Sequence, residues 1–263
     1  ADVLIEDYCA KIETKIEKEV KKAAKRFGDA FNKEEFISTN GRVLGYQEKI
    51  NTILLNNFPN AAEGQIDTGK MMLSLLQLAQ SLGIQILNGI SVSEIDEKIV
   101  VTNYGKISFE KLAICTNGLA QQFLPNEDVK PVRAQVVVTT PISNLRVKGT
   151  YHFDKGYYYF RNVGKRVLIG GGRNLDFETE NTSEFNLTAI IQNKLEQLLK
   201  EVILPYKKDF EIEMRWAGIM GVGNKKTTIV QQLDNNIFCA VRMGGMGIAI
   251  GSLIGKEVAE LLE

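Results

Sequence analysis

The residues best suited to chemistry lie near the end of the chain. There Asn236-Ile237-Phe238-Cys239-Ala240-Val241 reads as a strand, and Arg242-Met243-Gly244-Gly245-Met246-Gly247 leads into an apolar helix running to Glu263. Glycines at a strand-to-helix junction let a ligand lie against bare backbone. The first amides of a helix carry partial positive charge, so the junction suits an electron-rich group. Glycine turns also serve simple chain reversal, and that alternative stays open here. Within the helix Gly247, Gly251 and Gly255 recur every four residues as one flat stripe, while Ile248, Leu253, Ile254, Val258 and Leu261 supply apolar bulk. The stripe predicts a close approach by another element, with tight packing on a sheet the simplest form. Lys256, Glu257 and Glu260 break the apolar run well short of a membrane-spanning length.

The elements that must position this junction fit in 263 residues, enough for one large or two modest domains, and 44% hydrophobic content supports a core. Lys plus Arg and Asp plus Glu number 32 each, so no net field favours nucleic acid or an acidic membrane. Cys9, Cys115 and Cys239 are far apart, without CxxC or Cys/His spacing, which argues against a disulfide framework or a metal site. Ala1-Asp2-Val3 lacks the basic patch and apolar core of a signal peptide. The expectation is a soluble cytoplasmic protein with no membrane span and no nucleic-acid partner; a homo-oligomer is left open.

Along the chain, residues 11–27 read as an amphipathic helix and 44–57 as a second. Asp67 caps a third, which carries Met71 and Met72 as core residues and stops at Ser81-Leu82-Gly83. From Ile84 the period shortens: Ile84–Leu87, Ser91–Ile95, Lys98–Thr102 and Lys106–Phe109 read as strands, with a turn at Asn103-Tyr104-Gly105, and Lys111–Thr116 as a buried strand. Strands over 133–140, 149–153, 156–162 and 166–170 have antiparallel character, and a helix follows at about 184–202. Strands near 210–216, 227–231 and 236–241 return to the final helix.

Six stretches in this order resemble the D-amino-acid oxidase and glycine oxidase superfamily of FAD-dependent oxidoreductases. They are Glu63-Gly64-Gln65-Ile66-Asp67 with Gly83–Ile86, Leu112–Gly118, Pro131-Val132-Arg133-Ala134-Gln135, Arg166–Gly172, Arg215-Trp216-Ala217-Gly218-Ile219, and the terminal glycine turn. The resemblance spans residues 63–263. It implies an α/β (α+β) fold: an incomplete FAD-binding α/β layer over 1–130 and 210–263, plus an antiparallel-sheet substrate domain over 131–209. The strand, GxGxxG loop and helix that hold the FAD pyrophosphate in that family are not in this sequence, so a segment ahead of Ala1 is expected to supply them. Met220 stands at the family's usual arginine position, and Thr116-Asn117-Gly118 replaces its Thr-Gly or Ala-Gly pair.

The resemblance implies non-covalent FAD and hydride transfer from a small amino or hydroxy acid to the flavin, with positioning and electrostatics as the protein's contribution. It places Gly244, Gly245, Met246, Gly247 and Ile248 at the flavin ring, Thr116, Asn117 and Gly118 at the linker, and Val92 at the adenine, with Gly218 joining the cofactor set. For the substrate, strand alternation puts Tyr157, Tyr159 and Arg161 on one face and Tyr158 and Phe160 on the other. Arg161, Arg173 and Arg242 are the expected carboxylate forks, because planar bidentate donors suit that group, with a surface salt bridge the alternative role for each, and Tyr159 is expected to help position the acid. His152, the one histidine, is read as structural. Two rival readings are a non-catalytic fragment or binding module of such a flavoprotein and an NAD-dependent dehydrogenase; the missing glycine loop weakens the latter.

Overall fold

The computed structural model describes residues 36–37, 65–154, 156–207 and 209–263, so the helices expected over 11–27 and 44–57 lie outside the described residues. In chain order the elements are β1 (Phe36–Ile37), α1 (Thr68–Ser81), β2 (Val92–Ile95), β3 (Ile99–Thr102), β4 (Gly105–Ser108), β5 (Leu112–Ile114) and β6 (Lys130–Thr139). Then come β7 (Thr150–Phe153), β8 (Tyr158–Val163), β9 (Arg166–Gly171), α2 (Phe177–Glu180), α3 (Ala189–Leu198), β10 (Ile212–Val222), β11 (Ile229–Asp234), β12 (Ile237–Val241) and α4 (Gly247–Leu262). The result is a mixed α/β fold with antiparallel sheets.

The chain divides into two compact units. Among the described residues one holds 36–37, 65–66, 135–175 and 187–216, and the other 67–134, 176–186 and 217–263. Compared with the expected limits of 131–209, the divisions fall inside the long strands β6 and β10, and 176–186 returns to the second unit. A buried ion pair explains that return: Arg133 donates to both carboxylate oxygens of Glu180, at 3.0 and 2.8 Å, and to the Thr179 carbonyl. Residues 65–66 join the first unit because Gln65 donates to the Asn162 carbonyl and the Ile66 carbonyl accepts from Arg161.

In the first, sheet-rich unit the strand order is β1-β7-β8-β9-β6-β10. Tyr158 and Phe160 turn inward, where they join Val137, Tyr151, Val167 and Ile169 beneath Ile191, Leu195 and Leu198 of α3. Tyr151 and Phe160 are opposite each other in the ladder, and their rings stack with centroids 4.8 Å apart. The helix expected from 184 starts at Ala189, and a π turn over Leu199–Ile203 follows it. The late start has a cause: Thr188 is extended, its amide donates to Gln135 Oε1 and its hydroxyl accepts from Gln135 Nε2.

The second unit contains the glycine junction. Its sheet runs β11-β12-β5, with β12 parallel to β5, and a separate antiparallel meander joins β2, β3 and β4 around the turn at Gly105. Ile254 and Val258 of α4 pack on Phe238 and Ala240, while Cys239 and Val241 face a cluster with Ile114, Leu124 and Val129. Asp67 caps α1 by accepting from the Lys70 amide, and Gly83 follows its end at a left-handed φ of +80°.

Three expectations need correction in this unit. No residue of α1 is buried, and Met72 is 56% exposed, so Met71 and Met72 are not core. Residues 84–87 form no strand, since no described segment supplies the ladder that would make them one. Among the described residues, a Cβ at Gly251 or Gly255 would meet no atom within 4 Å and one at Gly247 only Met243, so no described element packs tightly on the glycine stripe.

Candidate functional site

The apolar strand β12 ends at Val241, and the backbone then takes a left-handed course: φ is +62° at Arg242, +55° at Gly244 and +87° at Gly245. Glycine takes such angles freely and arginine does not. Two segments grip the turn, and it closes on itself. Met243 donates its amide to Asn117 Oδ1 at 3.1 Å, Gly244 donates to the Gly221 carbonyl at 3.0 Å, and Met246 closes back on the Met243 carbonyl at 2.8 Å. These segments touch so closely that side chains are excluded. A Cβ on Gly118 would stand 2.5 Å from the Met220 carbonyl oxygen, and one on Gly221 2.5 Å from Asn117 Oδ1. Asn117 is itself left-handed, at φ +50°.

Helix α4 starts here without a capping side chain, because its N-cap is Met246. The amides of Ala249 and Ile250 both return to the Met246 carbonyl, and those of Gly247 and Ile248 have no intrahelical acceptor. At Gly244 a Cβ would meet nothing within 4 Å, and at Gly245 only Met220 Sδ at 3.3 Å. The start is therefore open backbone with its positive end outward, a geometry that stabilises nearby negative charge by about 0.3–1 kcal/mol.

The other expected cofactor residues meet this turn or lie on other elements. Asn117 and Gly118 are part of it, Thr116 is exposed beside them, and Gly218 lies on β10 with open space where a Cβ would be. Val92 begins β2, half-buried and paired with Thr102 in the separate meander. Burial, with the Glu127 charge adding to it, pushes the Cys239 thiol up to about 11, which keeps it protonated and unreactive beneath the sheet.

Arg242 does not offer a free fork, contrary to the sequence expectation. Its side chain is 8% exposed: Nε donates to the Thr227 carbonyl at 2.8 Å, Nη1 to the Asp128 carbonyl and carboxylate at 3.0 and 3.1 Å, and Nη2 to Thr227 Oγ1 at 3.3 Å. Sequence reading missed Asp128, which is 114 positions away and carries no local signal. It also missed Gly221 and Gly223, whose GxG spacing was a usable signal.

In the sheet-rich unit, Tyr157, Tyr159 and Arg161 lie on the face away from the core, as their alternation predicts. Tyr159 pairs with His152 across β7 and β8, and its ring lies over Gly170, where a Cβ would come 2.5 Å from the phenol oxygen. Burial pushes the Tyr159 phenol up and the His152 imidazole down, so both are neutral near pH 7. Arg161 is half-buried and donates to the carbonyls of Ile66 and Asn162. Arg173 begins a short 3-10 turn after Gly170-Gly171-Gly172 and is half-buried.

A sequence profile of the DAO family, described as FAD dependent oxidoreductase, matches residues 17–261. FAD is that family's cofactor. The Bifunctional protein ThiO/ThiG of Synechocystis is 23% identical over 233 residues, covering 82% of this chain and 33% of that protein. Among solved structures, glycine oxidase from Geobacillus kaustophilus is similar with a TM-score of 0.64 and 20% identity, over 76% of this chain and 55% of that one. L-proline dehydrogenase from P. horikoshii gives 0.60 and 20%, over 77% and 57%. At such identities these structures speak for the fold alone. The chain spans from a third to under half of the curated relatives it matches, 33% and 45%.

Proposed function

This chain belongs to the FAD dependent oxidoreductase family, and we propose that the protein oxidises a small amino or hydroxy acid with non-covalently held FAD. When bound, FAD supplies the acceptor for a hydride from the substrate carbon that bears the amine or hydroxyl. The observation that carries this reading is the open, uncapped helix start at Met246-Gly247, held by Asn117 and Gly221. It fits the electron-rich edge of a flat ring. Gly244 and Gly245 let the ring approach bare backbone, and the first amides of α4 favour negative charge there.

In this reading Gly244, Gly245, Met246, Gly247 and Ile248 hold the ring edge, Thr116, Asn117, Gly118 and Gly218 the adjoining linker, and Val92 the adenine side. Tyr159, Arg161 and Arg173 orient the acid, the arginines through its carboxylate. Arg242 leaves the substrate set because Asp128 and Thr227 already engage its guanidinium. A cytoplasmic setting completes the proposal, in keeping with the free thiols of Cys115 and Cys239. The rival reading, a binding module or fragment without catalysis, draws on one observation: the sequence contains no GxGxxG loop for the pyrophosphate.

The visible spectrum separates the two. After FAD addition and gel filtration the protein is expected to stay yellow, and anaerobic titration with small amino and hydroxy acids should bleach it. A colourless protein overturns the flavin reading for this chain, while a stable yellow protein that no acid bleaches favours the binding module.

A further inference from the structure

We propose that Asp128 and Arg242 form a positioning clamp that fixes the course of the Met243–Met246 turn and so aims the first amides of α4, an inference that rests on the flavin reading above. Non-glycine residues persist in left-handed backbone only where their surroundings over-determine them, and Arg242 does so at φ +62° with 7% of its surface exposed. What over-determines it is local and specific. Its three guanidinium nitrogens reach Thr227 and Asp128, and Asp128 is itself fixed by the Asn224 amide, at 2.7 Å from Oδ2, and by Asn224 Nδ2, at 3.2 Å from Oδ1.

Gly223 makes the fit feasible. A Cβ there would run into the Asp128 carbonyl oxygen and come 2.7 Å from Arg242 Cδ. The hydrogen bonds of the clamp run among Arg242, Asp128, Thr227 and Asn224, not to the open helix start. The clamp acts on the backbone between them: Arg242 directly precedes Met243 and Gly244, whose amides point to Asn117 Oδ1 and the Gly221 carbonyl. Asp128 thus serves as the arginine's counter-charge and Arg242 as the turn's anchor. A substrate carboxylate could bind Arg242 only by displacing a half-buried aspartate already hydrogen-bonded to it.

Arg242→Gly tests this beside Asp128→Ala: glycine keeps the left-handed angle available but removes the whole side chain and frees the backbone, whereas Asp128→Ala takes away the counter-charge and leaves residue 242 unaltered, so the effect must appear in both. Hydrogen exchange of the full chain without FAD should accelerate about tenfold at the Met243 and Gly244 amides, with Ile254 and Val258 unchanged. Unchanged exchange at the turn overturns the clamp; acceleration throughout α4 also overturns it, because the arginine would then be holding the fold. With FAD present, the Arg242→Gly variant's dissociation constant should rise about tenfold with a shifted flavin band, and millimolar guanidinium ion should restore both. Equal affinity and spectrum in variant and wild type overturn the positioning role. A wild type that takes up no FAD defeats the flavin reading instead, and the exchange result alone then decides the clamp.

Discussion

The two units hold themselves together by different means. The sheet-rich unit closes an apolar core in which Leu195, Leu199 and Val167 are fully buried. The glycine-turn unit has smaller apolar clusters and relies on polar ties and backbone fit: Arg133 with Glu180, Arg242 with Asp128, Asn117 with Met243, and Gly118 against Met220. It also leaves Leu73, Leu75 and Leu78 of α1 about half exposed, at 54, 46 and 55%. Burial in one large cluster predominates in the first unit, whereas the second adds directional contacts around its turn to two smaller apolar clusters. Directional contacts suit a site whose amides must be aimed, because a hydrogen bond constrains angle where apolar packing constrains mainly volume.

The contrast can be broken by truncation. Leu195→Ala in the sheet-rich core should cost about 3 kcal/mol by urea unfolding, the usual loss for a fully buried leucine. Gly251→Ala on the open stripe of α4 should instead stabilise by about 1 kcal/mol, since alanine is the better helix former and a Cβ there meets nothing within 4 Å. Destabilisation would show that the stripe carries a close contact after all. Smallest of the three, Leu75→Ala on α1 should change stability by no more than about 0.5 kcal/mol. A loss like that of Leu195→Ala would erase the distinction between the units.

Much of the fold was legible wherever neighbours in sequence decide it. Asp67 predicted a helix start, Asn103-Tyr104-Gly105 a hairpin turn, and Tyr157 to Arg161 an alternating strand; each depends on contacts a few residues apart. Residues 84–87 have strand composition, but a strand also needs a partner, which composition does not report. The helix expected at 184 starts at Ala189 because Gln135, 53 positions away, holds Thr188 extended. The site divides the same way. Its glycines announced the turn, whereas the role of Arg242 depends on Asp128, whose distance in sequence hides it.

The central claim is that the first turn of α4 holds the flavin, and an FAD titration of Gly247→Val against wild type tests it most directly. A Cβ at Gly247 makes only ordinary contact, 3.6 Å from Met243 Sδ, so the variant should fold with an unchanged melting temperature in the absence of FAD. The branched side chain would nevertheless stand over the amides proposed to face the ring. Wild type is expected to bind FAD, and the variant to bind it at least about tenfold more weakly. Equal affinity in the two proteins would contradict the claim.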